Sequence, residues 1–227
     1  MLAYVIRRVF QSIVVLLMVG LVAFSMFRFI GDPAENLLGQ ERTTADIERV
    51  KEQLGLNDPF PVQYYKFLSN AAQGNFGVSY RQGRPVGEII AERAPATLEL
   101  AGISALFAVV FGVGLGVFTA IRRDGIAANI VMTTSLIGVS LPTFLIGILL
   151  IYIFAVELGW LPSFGRGDTV QLGWWSTGLL TQSGLKAIIL PSITLGLYQM
   201  TLIMRLVRAE MLEVLRADYI KFARARG

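Results

Sequence analysis

The stretch best suited to chemistry or recognition is Glu210-Met-Leu-Glu-Val-Leu-Arg-Ala-Asp-Tyr-Ile-Lys-Phe-Ala-Arg-Ala-Arg-Gly227, which is short, helix-prone and basic, and follows an apolar span directly. Asp218 can cap a new helix, because its carboxylate can accept hydrogen bonds from the free amides of a first turn. Tyr219, Ile220 and Ala223 then fall near one face, while Lys221 and Arg224, three apart, share another. Gly227 is suited to ending such a helix in the left-handed conformation. The product is a short amphipathic helix hung below a membrane. Two readings compete for it: a basic juxtamembrane segment that fixes topology and touches anionic lipid, or a docking helix for a soluble partner.

Other chemistries are excluded by what the 227 residues lack. There is no Cys, hence no disulfide, thiolate metal site or Cys nucleophile. There is no His, which removes Ser-His catalysis, imidazole ligands and the commonest pH switch. No Gly-x-x-x-x-Gly-Lys-(Ser/Thr) loop is present to cradle nucleotide phosphates, so the chain does not hydrolyse ATP by that route. Arg28, Glu99 and Arg205 are expected near the ends of apolar spans, with no ionisable residue mid-span. Proton-coupled carriers need a buried group for the coupling ion to bind. A transporter with neither resource draws its energy from a partner. An intramembrane hydrolase is disfavoured by the same absences.

The elements that must position the terminal stretch are membrane spans. Hydrophobic residues make up 54% of the chain and charged ones 16%, well short of the quarter or so usual in soluble domains. Several apolar runs near 20 residues point to an integral membrane protein. Residues 1–30 read as a cytoplasmic head and first transmembrane helix. Its apolar run, Val9–Ile30, would span about 33 Å. Residues 31–95 are polar. Gly31-Asp32-Pro33 breaks the first helix, and Thr43-x-x-Asp46 has the form of a capping box before Ile47, Val50 and Leu54 at helical spacing. Leu54-Gly55-Leu56-Asn57-Asp58-Pro59 ends that helix. Tyr64, Tyr65, Phe67 and Leu68 suggest a second, and Gly74-Asn75-Phe76-Gly77 and Gly83-Arg84-Pro85 mark turns. This region reads as an extracytoplasmic cap.

Residues 96–121 form the second span, where Gly112-x-x-x-Gly116 allows close helix approach. A cytoplasmic turn follows at 122–125. The third span, 126–156, is over-long and kinked at Leu141-Pro142, with Gly138 one turn earlier. Residues 157–186 form a second outer loop, whose Trp160, Trp174 and Trp175 suit a membrane interface. The fourth span covers 187–206, with Pro191 in or near its first turn. Residues 207–227 are the cytoplasmic terminal segment. Charge agrees with this layout. The cytoplasmic pieces hold ten bases and four acids and the remainder ten bases and twelve acids, within a net charge of +4. The asymmetry follows membrane topology rather than nucleic-acid binding.

The pattern Asp218-Tyr219-Ile220-x-x-Ala223-Arg224-Ala225-x-Gly227 resembles the cytoplasmic coupling loop of ATP-binding-cassette (ABC) importer permeases, in the form of the dipeptide/oligopeptide branch. Other branches open this loop with Glu-Ala-Ala, six residues before the Gly; here Lys221-Phe222-Ala223 stands there, matching only in the Ala. The resemblance extends through Leu54-Gly55-Leu56 and its following Pro, the Gly-x-Phe-Gly turn, Arg93-x-Pro-x-Thr-Leu98, Leu158-Gly159-Trp160-Leu161-Pro162, and the paired Arg205 and Arg208. It implies an all-α, polytopic helical bundle of the type I ABC importer permease kind, about four transmembrane helices of which lie in this chain.

The resemblance further implies a peptide-importing subunit in a bacterial inner membrane, multi-pass, with its N-terminus cytoplasmic. The implied partners are a second permease subunit, two ATPase subunits that bind ATP and Mg, and an extracytoplasmic solute-binding protein. No cofactor is implied in this chain, and no nucleic acid. Asp218, Tyr219, Ile220, Ala223, Arg224 and Gly227 would couple to an ATPase subunit. Gly112, Gly116, Pro142 and Pro191 would serve packing and kinks. Dipeptides, longer peptides, glutathione and nickel chelates are all carried by similar permeases. Family permeases continue past the coupling Gly into further spans, so the chain is expected to be part of a longer permease. The alternative is a non-transporting membrane anchor or assembly protein with a basic cytoplasmic tail.

Overall fold

A computed structural model describes residues 2–30, 57–79 and 81–226. The expected break at 31–33, the capping box at 43–46, the helix carrying Ile47, Val50 and Leu54, and the left-handed Gly227 lie outside the described residues. The chain divides into two compact units, Met1–Ala91 and Glu92–Gly227.

In the first unit, helix α1 (Leu2–Ile30) is predominantly apolar, and its side chains from Leu2 to Met26 are largely exposed. Residues Leu2–Met26 are long and apolar enough to cross a membrane. Helix α2 (Phe60–Ala72) starts after Pro59, with a second proline in its first turn, where a missing N–H costs nothing. It packs on α1 through aromatic rings: Phe24 lies 5.5 Å from Phe60 and from Phe67, and 5.8 Å from Tyr64, between ring centroids. The Tyr64 hydroxyl donates to the Leu17 carbonyl at 2.5 Å. Gly74 and Gly77, both at positive φ, turn the chain after α2, and Val78 bridges to Pro85.

Helix α3 (Val86–Ile121) begins in the first unit and continues in the second. It starts ten residues before the expected boundary at 96 and passes through Pro95. The segment Val86-Gly-Glu-Ile-Ile-Ala-Glu-Arg-Ala94 is mostly helix-compatible, and Arg84 and Glu88 lie i,i+4 at 3.9 Å. One bond lost at Pro95 does not end a helix supported on both sides.

In the second unit, the expected third span is two arms. Helices α4 (Ile126–Ser135) and α5 (Ile137–Ser140) make one; α6 (Thr143–Ile151) and a π-helical turn (Tyr152–Glu157) make the other. They meet at 108°. Pro142, with φ −57° and ψ 136°, leaves the helix altogether instead of merely bending it. Among the described residues, three uninterrupted helices are therefore long and apolar enough to cross a membrane, or four if the bent pair counts as one span.

Residues 158–181 carry a two-stranded antiparallel hairpin absent from the sequence-based reading, β1 (Val170–Leu172) and β2 (Trp175–Thr177). Gly173, at φ +66°, opens the two-residue turn as a type II′ turn requires. Helix α7 (Gln182–Arg216) then starts five residues earlier than expected, because Thr181 caps it by accepting from the Gly184 N–H at 3.0 Å. Pro191 consequently lies well inside α7 rather than in its first turn. The helix also runs ten residues past 206, through Val207-Arg-Ala-Glu-Met-Leu-Glu-Val-Leu-Arg216, mostly strong helix formers. It stops at Ala217, whose ψ of 148° is extended, and α8 (Asp218–Ala225) follows at once.

Helix α7 is the centre of the second unit. Ser104, Ala108, Gly112, Gly116 and Ala120 form a buried four-residue repeat on α3. A Cβ added at Gly112 would lie 2.9 Å from the Ile203 Cβ, one at Gly116 would lie 2.8 Å from the Val207 Cβ, and one at Gly196 would lie 2.6 Å from a Phe107 ring carbon. The two backbones thus approach at three levels only because these residues have no side chain. Both arms of the bent pair also reach α7: a Cβ at Gly138 would meet the Thr201 hydroxyl at 2.9 Å, and one at Gly147 the Thr194 methyl at 3.3 Å. The Thr201 hydroxyl lies 3.2 Å from the Ser135 carbonyl and 3.0 Å from that of Leu197.

Candidate functional site

The terminal segment is a separate amphipathic helix joined to α7 by a single extended residue, Ala217. Asp218 is the first helical residue, not the cap; Ala217 holds that position, and its carbonyl accepts from the Ile220 N–H at 3.1 Å. The Asp218 carboxylate still sits at the positive end of the helix dipole. Tyr219 and Phe222 are exposed, at 62% and 61%, and Ile220 is half-buried. Arg226 stacks its guanidinium 4.8 Å from the centre of the Phe222 ring. Phe222 was not singled out by the sequence reasoning, because a single aromatic beside Lys221 carries no periodic signal. The backbone of residues 221, 223 and 224 belongs to α8.

Sequence reasoning also missed a cluster at the opposite end of α7. Glu99 is the fourteenth residue of α3, inside the helix and not near its end, and its side chain is only 5% exposed. Three donors converge on its carboxylate. The Trp175 indole N–H donates to Oε1 at 3.1 Å, the Arg166 guanidinium to Oε2 at 3.1 Å, and the Gly178 N–H to Oε2 at 3.4 Å. Arg166 also donates to the Ser176 hydroxyl at 2.9 Å and its carbonyl at 2.5 Å. The one polar group of Trp175 is spent on Glu99. Trp160 and Trp174 remain exposed. These partners stand 67 to 79 residues from Glu99 in sequence, so no local spacing announces them.

The buried carboxylate does not make a proton-carrying site. The groups bonded to it all donate, and Arg166 balances its charge, so the ionised form is the one accommodated. Beside the cluster lie two cavities of about 390 and 210 Å³, which share Gly165, Ala187 and Pro191 as lining. Proline at 191 cannot donate to the Ala187 carbonyl, so the ladder of α7 has a gap where the cavities meet it.

Comparison with known proteins covers the whole chain. The family model described as the inner membrane component of binding-protein-dependent transport systems matches residues 112–227, and that for the N-terminal part of such membrane components matches residues 1–101. A dipeptide transport system permease protein of Alkalihalophilus pseudofirmus is 38% identical over 100% of this chain and 72% of its own length. A probable peptide ABC transporter permease protein of Sinorhizobium fredii is 37% identical over 99% of this chain and 69% of its own. A glutathione transport system permease protein of Escherichia coli is 39% identical, over 100% and 69% respectively.

Proposed function

The chain belongs to the family of inner-membrane components of binding-protein-dependent transport systems, and from that membership we infer that it is a membrane permease subunit of an ATP-driven importer of peptides. It is a multi-pass membrane protein and a transport subunit rather than an enzyme. The substrates fitting this reading are short peptides, in the range from dipeptides to glutathione. In the proposed assembly it works in a bacterial inner membrane beside a second permease subunit. Two ATPase subunits bind ATP and Mg on the cytoplasmic side, and an extracytoplasmic solute-binding protein delivers the peptide. The N-terminus and α8 are cytoplasmic; residues 31–95 and 157–186 face outward.

Helix α8 carries the coupling role. It is short, amphipathic and exposed on Tyr219 and Phe222, and it follows a 35-residue helix packed along the bundle. ATP binding closes the ATPase pair, α8 is displaced with it, and α7 carries the motion toward the far side, switching access from outside to inside. Tyr219, Ile220 and Ala223 form the contact, Arg224 its rim, and Asp218 and Gly227 its two ends. The separateness of α8 from α7 is the observation that supports this reading best.

The chain has no native cysteine, so a cross-linker on Tyr219→Cys reports its neighbour directly. The expected product is an adduct with the ATPase subunit. An adduct with lipid alone, in membranes that contain the ATPase, overturns the coupling role.

A further inference from the structure

We propose that Glu99 is a positioning residue for transport: its carboxylate clamps the hairpin of residues 170–177 to α3, so that hairpin, α3 and the start of α7 move as one body. The proposal rests on the permease reading for its consequence but not for its geometry. Glu99 belongs to α3, while Arg166, Trp175 and Gly178, which donate to it, come from one short stretch, Arg166 to Gly178. That stretch is fastened equally to α7. Thr181 donates to the Asp168 carbonyl at 2.6 Å while capping α7, and Ser183 bonds both the Asp168 carboxylate at 2.7 Å and its N–H at 3.0 Å. Any side chain at Gly167 would run into the backbone of Ser183 and Gly184 within 2.5 Å, so the loop lies directly on the first turn of α7.

The clamp continues the α3–α7 contact rather than standing apart from it. Gly196, Gly112 and Gly116 bring the two helices together at successive levels toward α8. Packed backbones shift between discrete arrangements instead of bending smoothly. Removing one partner from a buried, charge-balanced cluster leaves the other uncompensated, so the clamp has no cheap half-open state. Motion delivered at α8 thus reaches the hairpin, which presents Trp174 at 77% and Phe164 at 90% exposure on or beside it.

The test uses spin labels on cysteines replacing Leu98 on α3 and Leu172 on β1, both more than half exposed. Pulsed electron-resonance distances are read in the assembled transporter, without nucleotide and with an ATP analogue trapped. One narrow distance common to both states is expected with Glu99 intact. Glu99→Leu should broaden it, and should abolish stimulation of ATP hydrolysis by peptide-loaded binding protein while leaving basal hydrolysis. Glu99→Gln, which keeps an acceptor, should broaden it less and retain part of the stimulation. If Glu99→Leu does not assemble, Glu99→Gln and Trp175→Phe carry the same comparison. A distance that changes with nucleotide when Glu99 is intact, or a distribution that stays narrow in these variants, overturns the clamp. The distances need no transport, so loss of the clamp and loss of the importer reading are told apart.

Discussion

Replacing Gly116 by Ala sets two opposed effects against each other. Gly to Ala inside a helix ordinarily gains about 0.5–1 kcal/mol, because less backbone entropy is lost on folding. At Gly116 the new Cβ would stand 2.8 Å from the Val207 Cβ and 2.9 Å from the Met204 carbonyl oxygen. Neither is the free end of a flexible side chain, so α3 and α7 must separate. Comfortable carbon contacts lie near ~3.5–4.0 Å, so the separation is at least about 0.7 Å. Overpacking of this kind costs about 1–3 kcal/mol. Gly114, two residues away on the same helix, has nothing within 4 Å of its would-be Cβ. Gly114→Ala keeps the propensity gain without the clash, so the difference between the two variants isolates the packing cost. Reversible unfolding of each variant in mixed detergent should place Gly116→Ala below Gly114→Ala by about 1–3 kcal/mol. Equal stability of the two variants would refute close backbone packing of α3 on α7.

Two further outcomes are expected. A cysteine at Asn70, exposed on α2, should react with a membrane-impermeant reagent added from outside and not from the cytoplasmic side; the reverse pattern would invert the proposed topology. Thr181→Ala removes the cap of α7 and should cost about 1 kcal/mol, seen as faster amide exchange at Gly184 and its neighbours, with α8 unaffected; unchanged exchange there would show that the cap is dispensable.

The parts of this molecule legible in its sequence are those specified locally. Runs of apolar residues mark α1, α3 and α7, since a membrane span must satisfy its own backbone and hide no charge. The Asp218–Gly227 pattern marks a helix after α7 because its signals are adjacent in sequence. Boundaries were less legible. Pro95 and Pro191 read as helix starts, yet both lie inside helices whose flanking residues and tertiary packing support them. Pro142 carries the same local signal and instead separates two arms at 108°. The Glu99 cluster was invisible because its partners come from a hairpin and its flanks some seventy residues on, and an isolated acid, arginine and tryptophan have no spacing to recognise. Gly112 and Gly116 were readable as a pair, but their particular neighbours, Ile203 and Val207, follow only from the helix register.

The central claim, that this chain carries ATP-driven motion into peptide passage through α8, is tested most directly by uptake. Transporter assembled with its ATPases, partner permease and peptide-loaded binding protein is reconstituted into vesicles, with Ala223 intact or replaced by Asp. A new carboxylate in a desolvated contact costs several kcal/mol. Intact transporter should accumulate labelled dipeptide when ATP is supplied on the cytoplasmic side, and Ala223→Asp should insert normally yet accumulate none. Undiminished ATP-dependent uptake by Ala223→Asp would contradict the account.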